Sequence, residues 1–130
     1  DVASVRAWVD EWGAQVAAVE MDAARLRFAD DVVAFGTLAN VVVGLDQLYD
    51  DQWSQVWPTI EGFRFLTEEM EVLVAPGRLM AVAVVGWDSV GFADDGTRFP
   101  RPGRATIVLT RATLADAWVG RHTHFSLART

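Results

Sequence analysis

The chain has no cysteine, which excludes a disulfide scaffold, a thiolate-held zinc site and a thiol nucleophile. It has only two histidines, so any third ligand to a metal would have to be Asp or Glu, and no metal is expected. Positive charge is scarce: 11 basic residues stand against 18 acidic ones, a formal net charge of −7. Neutralising a phosphate backbone needs the opposite balance, so nucleic acid is not an expected partner. Long apolar runs are missing too. The longest, Leu79 to Trp87, spans nine residues, against the ~20 that a bilayer-crossing helix requires. No basic-then-apolar leader opens the chain, and no membrane partner is expected. What is present argues for a packed core: 52% hydrophobic residues, 22% charged ones and six tryptophans are incompatible with disorder. At 130 residues a single domain over 1–130 is expected, burying about 60–70% of its unfolded surface. The composition reads as a soluble, acidic, cytoplasmic globular domain.

The first half carries helical periodicity. Val2, Val5, Trp8, Val9, Trp12, Val16 and Val19 recur at spacings of 3, 3, 1, 3, 4 and 3, which makes one apolar stripe. Gly13 interrupts it, and a residue without a side chain lets another element approach closely. A short helix is predicted over Met21–Ala29, then a strand over Val32–Phe35 ended by Gly36. A third helix is expected from Leu45, Leu48, Tyr49, Trp53, Val56, Trp57 and Ile60, which share a face, with Pro58 stopping or kinking it. Beyond Phe63, β-branched and aromatic residues alternate between turn signals at Ala75-Pro76-Gly77, Asp94-Asp95-Gly96 and Arg101-Pro102-Gly103. These delimit strands at about Phe63–Ala75, Arg78–Phe92, Ala105–Ala112 and Ala117–Leu127. Helices followed by long strands joined by short turns predict an α+β fold, a strongly curved, mainly antiparallel sheet wrapped around N-terminal helices with a cavity between.

Particular residues now carry a resemblance. Phe28-Ala29-Asp30-Asp31-Val32-Val33-Ala34-Phe35-Gly36, the helix holding Trp53 and Trp57, Asp95-Gly96, Gly103-Arg104-Ala105-Thr106, and Trp118 followed by His122-Thr123-His124-Phe125-Ser126 resemble the SnoaL-like branch of the nuclear transport factor 2-like superfamily. The chain is also similar to the association domain of calcium/calmodulin-dependent kinases. The resemblance implies a cone-shaped α+β barrel, a deep pocket between sheet and helices, and a homodimer through the sheet. Function is not implied with it, since one fold hosts many activities.

His122, His124 and Ser126 share a parity on the last strand, and by alternation Trp118 shares it too. In the SnoaL-like pattern this face looks into the cavity, so His124, supported by His122, is the expected acid/base or hydrogen-bonding group. Arg104 and Thr106 share a parity on the preceding strand. There the resemblance implies a pocket wall, with Arg104 as an anion anchor and Thr106 and Ser126 as polar lining. Tyr49, Trp57, Trp118 and Asp88 complete the expected ligand-binding set, Asp88 because its strand neighbours are apolar. Arg98, Arg101 and Arg111 read as solvated. Ketosteroid isomerase-like relatives carry a general-base Asp just beyond the first strand, and the match puts Gly36 there.

The expected function is therefore binding of an apolar or anionic small molecule in the cone cavity, with no cofactor, and with acid/base turnover open. An alternative is an assembly or ligand-sensing domain, whose contact surface would be the face of Val119, Thr123, Phe125 and Leu127. A further alternative is a carbonic anhydrase of iota-class type, since His122, His124 and Ser126 match positions one, three and five of its His-His-His-Ser-Ser motif.

Overall fold

The computed structural model describes residues 1–38 and 40–128. Helix α1 (Val2–Ala17) and α2 (Met21–Arg25) lead into β1 (Phe28–Phe35) and β2 (Val41–Val43). A helical segment follows: α3 (Leu45–Leu48), a π-helical turn (Tyr49–Trp53), α4 (Ser54–Val56) and a 3₁₀ turn (Trp57–Thr59). The rest is strand: β3 (Glu61–Phe65), β4 (Glu71–Val74), β5 (Met80–Phe92), β6 (Arg98–Pro100), β7 (Gly103–Thr110) and β8 (Val119–Leu127). The sheet runs β2-β1-β8-β7-β5-β3, with β4 and β6 also on β5. Among the described residues only β1 with β8 is parallel; the other pairings are antiparallel. The fold is the expected α+β arrangement, a largely antiparallel sheet around N-terminal helices.

The helical stripe of α1 packs as its spacing requires. Val5, Trp8, Val9, Trp12, Gly13 and Val16 are buried, while Val2 and Val19 at the ends are exposed. Gly13 marks a close approach: a Cβ there would lie 2.9 Å from the Phe65 ring on β3. The sequence reading did not predict the short strands β2 and β6, and boundaries differ elsewhere. β1 begins at Phe28, so α2 stops at Arg25. The stretch read as one strand from Phe63 to Ala75 is two, broken by a 3₁₀ turn over Thr67–Glu69. That break is anchored by the Thr67 hydroxyl, which donates to Asp10 on α1 at 2.7 Å.

On β5 the inward residues are Ala81, Ala83, Val85, Trp87 and Ser89; on β7 they are Gly103, Ala105, Ile107 and Leu109. Strand β8 carries an irregularity. Leu109 pairs with Gly120 but Val108 with His122, so Arg121 is an extra residue and its strand bulges there. A bulge reverses the alternation beyond it. Trp118 and Gly120 point inward before it, and Thr123 points inward after it. Among the described residues, no helix is long and apolar enough to cross a membrane.

Candidate functional site

The cleft between sheet and helices is built mainly from rings. Its floor is Trp87, Phe63, Phe125 and Thr123, and its helical wall is Leu48, Gln52, Trp53, Val56 and Trp57. Trp12 and Val16 of α1 close the back, and Gly36, Thr37 and Arg101 stand with Phe35 among the remaining lining residues. Trp53 and Trp57, one helical turn apart, stack at 4.6 Å between centroids. Trp87 lies flat across Gly103, its direct cross-strand partner, and any Cβ at Gly103 would collide with the indole. Counted to its open mouth the cleft encloses about 470 Å³, but space reachable by the centre of a water molecule is only about 40 Å³. That is room for a few waters, so a larger occupant must move rings aside. The indole N–H groups of Trp12 and Trp87 are buried with no hydrogen-bond partner among the described residues.

A polar network sits on one side of this aromatic surface. Thr37 Oγ1 accepts from Arg101 Nη2 at 2.9 Å and from Gln52 Nε2 at 3.3 Å, while Gln52 Oε1 accepts from the Leu38 amide at 3.3 Å. Gln52 lies in the same helical stripe as Leu48 and Trp53, but a stripe read from apolar residues alone omits it. Its side chain packs directly over Gly36, where a Cβ would lie under 3.0 Å from Gln52 Cγ, Cδ and Oε1. Gly36, where the resemblance implied that a general base would stand, is thus covered by an amide.

Arg101 was expected in solvent and is half-buried instead. Its backbone is pinned to β5: its amide donates to the Ser89 carbonyl at 2.8 Å, and the Ser89 hydroxyl donates to its carbonyl at 2.7 Å. Its guanidinium lies 5.5 Å from the Trp87 ring centroid, and burial draws it below the usual arginine range. Arg111, also expected in solvent, is only 6% exposed. It is stacked 4.0 Å from the Trp118 ring centroid and paired with Asp1 at 2.9 Å.

The sequence-derived site is partly assembled, on the other side of the sheet. Thr106 pairs with His124 and Arg104 with Ser126 across β7 and β8. These four line a shallow depression with Glu69 and Glu71. It lies on the outer face, because the alternation that buries Thr123 turns His122 and His124 outward. The face expected to look into the cavity is therefore the opposite one, and Thr123 and Phe125, read as a contact surface, line the cleft. His122 is beside β1, where its Nδ1 donates to the Val33 carbonyl at 2.6 Å; a carbonyl only accepts, which places the proton on Nδ1. His124 packs against Phe35 at 5.0 Å.

Of the remaining expected residues, only Trp57 lines the cleft. Trp118 is buried at the far end of α1, donating to Ser4 at 2.9 Å and accepting from Trp8 Nε1 at 3.1 Å. Parity alone grouped it with the histidines, and the bulge at Arg121 separates them. Tyr49 turns away from the cleft and donates to Asp22 at 3.0 Å; that carboxylate raises the phenol above its usual value. Asp88 is exposed on the outer face, since its apolar row, Met80, Val82 and Val84, faces outward with it. No group of three or more His, Asp or Glu side chains suited to a metal occurs among the described residues.

The family model for the SnoaL-like domain matches residues 5–130. Among solved structures, the fold is similar to a ketosteroid isomerase-like protein from Erwinia carotovora atroseptica, with 16% identity, TM-score 0.82, and 99% of this chain and 97% of that one covered. It is similar to a nuclear transport factor 2-like superfamily protein from Salmonella enterica serovar Typhimurium, with 14% identity, TM-score 0.80, and coverage of 99% and 92%. It also resembles the association domain of calcium/calmodulin-dependent kinase II from C. elegans, with 13% identity, TM-score 0.66, and coverage of 89% and 87%. Curated proteins give no significant match. At these identities the structural likeness speaks for the fold and not for an activity.

Proposed function

The chain belongs to the SnoaL-like domain family, and from that starting point we propose that it is a small-molecule-binding domain whose aromatic cleft takes a compact, flat ligand. One observation carries this reading. Among the described lining residues, the polar side chains beside the indoles are hydroxyl, amide and guanidinium groups. Such groups hold and orient a ligand, while general acid–base catalysis uses side chains that exchange protons near neutral pH. The two unpaired indole N–H groups support it, because a buried donor without a partner costs about 1–3 kcal/mol. The histidines, on the outer face, take no part in this reading. Titrating intrinsic tryptophan fluorescence with compact aromatic compounds tests it, because Trp12, Trp53, Trp57 and Trp87 all line the cleft. A saturable change that Trp53→Ala abolishes is expected. No saturable response to any such compound, or turnover of a substrate that falls with His124→Ala, defeats it.

A second reading, self-association, rests on the outer face of the sheet. Val33, Phe35, Val41, Val43, Leu73, Met80 and Val84 are exposed large apolar residues there. Exposed apolar clusters on a sheet face are commonly covered by a partner; here one lies on β1 and β2 and another on β4 and β5, with β8 and β7 between them. The proposal is a homodimer through this face, with the cleft left open. Sedimentation should find a dimer that Val84→Arg converts to monomer; a monomeric wild-type protein at micromolar concentration overturns it.

A further inference from the structure

We infer that the ligand of this cleft is a compact aromatic monocarboxylate whose carboxylate is received by Arg101 and Thr37. The inference rests on the reading of the cleft as a binding site and adds the chemical class of its occupant.

Every basic residue in the chain is an arginine. Of the ten arginines among the described residues, seven form ion pairs with carboxylates. The other three are Arg6, Arg101 and Arg104; Arg6 and Arg104 are exposed. Arg101 alone among them is half-buried, and it has no carboxylate partner among the described residues. Asp88 borders the depression behind it but forms no ion pair with it. A guanidinium removed from water is stabilised by an anion far more than by a neutral acceptor. The Trp87 ring at 5.5 Å compensates only part of the loss.

Position and geometry agree with this. The two backbone bonds to Ser89 hold Arg101 in place, and prolines precede and follow it, restricting the chain on both sides. The backbone of Arg101 is therefore fixed before a ligand arrives, which lowers the entropic cost of binding there, while the rings beside it move to admit the ligand. Thr37 supplies a second donor. A hydroxyl oxygen has two lone pairs, and those of Thr37 Oγ1 are occupied by Arg101 Nη2 and Gln52 Nε2. Its own hydrogen has no acceptor among the described residues. A guanidinium N–H and this O–H converge at one side of an aromatic cleft, an arrangement that suits one planar anion attached to a ring. The number of charges limits the ligand further. A single cation in a chain of net charge −7 balances a monoanion and leaves a phosphate dianion under-compensated.

The test compares benzoate, cinnamate and 2-naphthoate with their uncharged amides by isothermal titration. The proteins are wild type, Arg101→Met, Arg101→Lys and Thr37→Val, each checked for folding by thermal melting. Acids should bind the wild type more tightly than their amides. Arg101→Met should weaken the acids by about 10- to 100-fold, the effect of losing a charge-assisted hydrogen bond, and weaken the amides far less. Arg101→Lys should recover part of the loss, and Thr37→Val should weaken acids more than amides. Acids and amides binding equally well would overturn this inference and leave the cleft reading standing. If neither class binds folded wild-type protein, both readings fall. An Arg101→Met variant that melts early while acids and amides still bind alike assigns Arg101 to anchoring the Thr37 loop, which also overturns the inference.

Discussion

Replacing Gly36 with alanine puts a methyl group where the Gln52 side chain already lies, under 3.0 Å from its Cγ, Cδ and Oε1. The backbone at Gly36 is not in the left-handed region, so the conflict is with Gln52 and not with the chain's own conformation. Gln52 is buried and must swing aside, giving up its bonds to the Leu38 amide and to Thr37, each at 3.3 Å. At about 1 kcal/mol net per bond, the loss is about 2 kcal/mol. The smaller conformational freedom of alanine in the unfolded chain returns about 0.4–1 kcal/mol. Gly36→Ala should therefore destabilise by about 1–1.5 kcal/mol, a fall of about 4 °C in melting temperature for a domain of this size. The decisive comparison is with Gln52→Ala, which loses the same bonds by itself. In that background the three nearest atoms, all of the Gln52 side chain, are gone, and Gly36→Ala should be neutral or stabilising by up to about 1 kcal/mol. Urea denaturation of the four proteins of the cycle measures a coupling of about 2 kcal/mol. An equal cost of Gly36→Ala in both backgrounds would refute the account of Gln52 as the group that excludes a side chain at position 36.

Three further outcomes are expected. Arg111→Ala removes a buried guanidinium that bonds Asp1 and the Arg78 carbonyl, each at 2.9 Å, and stacks on Trp118. Chemical denaturation should show a loss of about 3 kcal/mol, and a loss under 1 kcal/mol would mean this cluster is loosely held. The chain's one tyrosine, Tyr49, should ionise at higher pH when folded than when unfolded, because it donates to the Asp22 carboxylate. The contribution of this contact to stability is complete below the unfolded phenol's value near 10.0 and is lost as pH rises through the folded one. Ultraviolet titration of tyrosinate should show the midpoint falling in Asp22→Asn, and an unmoved midpoint contradicts the assignment. Finally, His122→Ala and His124→Ala should leave ligand affinity in the cleft unaltered, as read by tryptophan fluorescence; a marked loss in either would place the outer face in the binding site.

Much of this protein is determined by local sequence. The spacing of Val5, Trp8, Val9, Trp12 and Val16 makes α1 and fixes its buried side, and the turn residues set where β5 ends and β7 begins. Two-residue alternation likewise puts His122, His124 and Ser126 on a common face, and the tertiary structure keeps them there. Which face is covered is a different matter. On β5 both rows are apolar, Ala81, Ala83 and Val85 on one side and Met80, Val82 and Val84 on the other, so hydrophobicity does not rank them. The choice is made by the helices, which pack against the side holding Trp87 and Phe125. The bulge at Arg121 leaves no mark in the alternation and moves Trp118 to the opposite face from the histidines. Gln52 and Arg101 escape for a related reason: polar residues in an apolar stripe or a turn look solvated until the partner that covers them is known. Here those partners are Gly36, Thr37 and Trp87, up to 64 residues away along the chain. Period and turn chemistry act over a few residues, whereas burial and pairing are set by contacts that exist only once the sheet has closed over its helices.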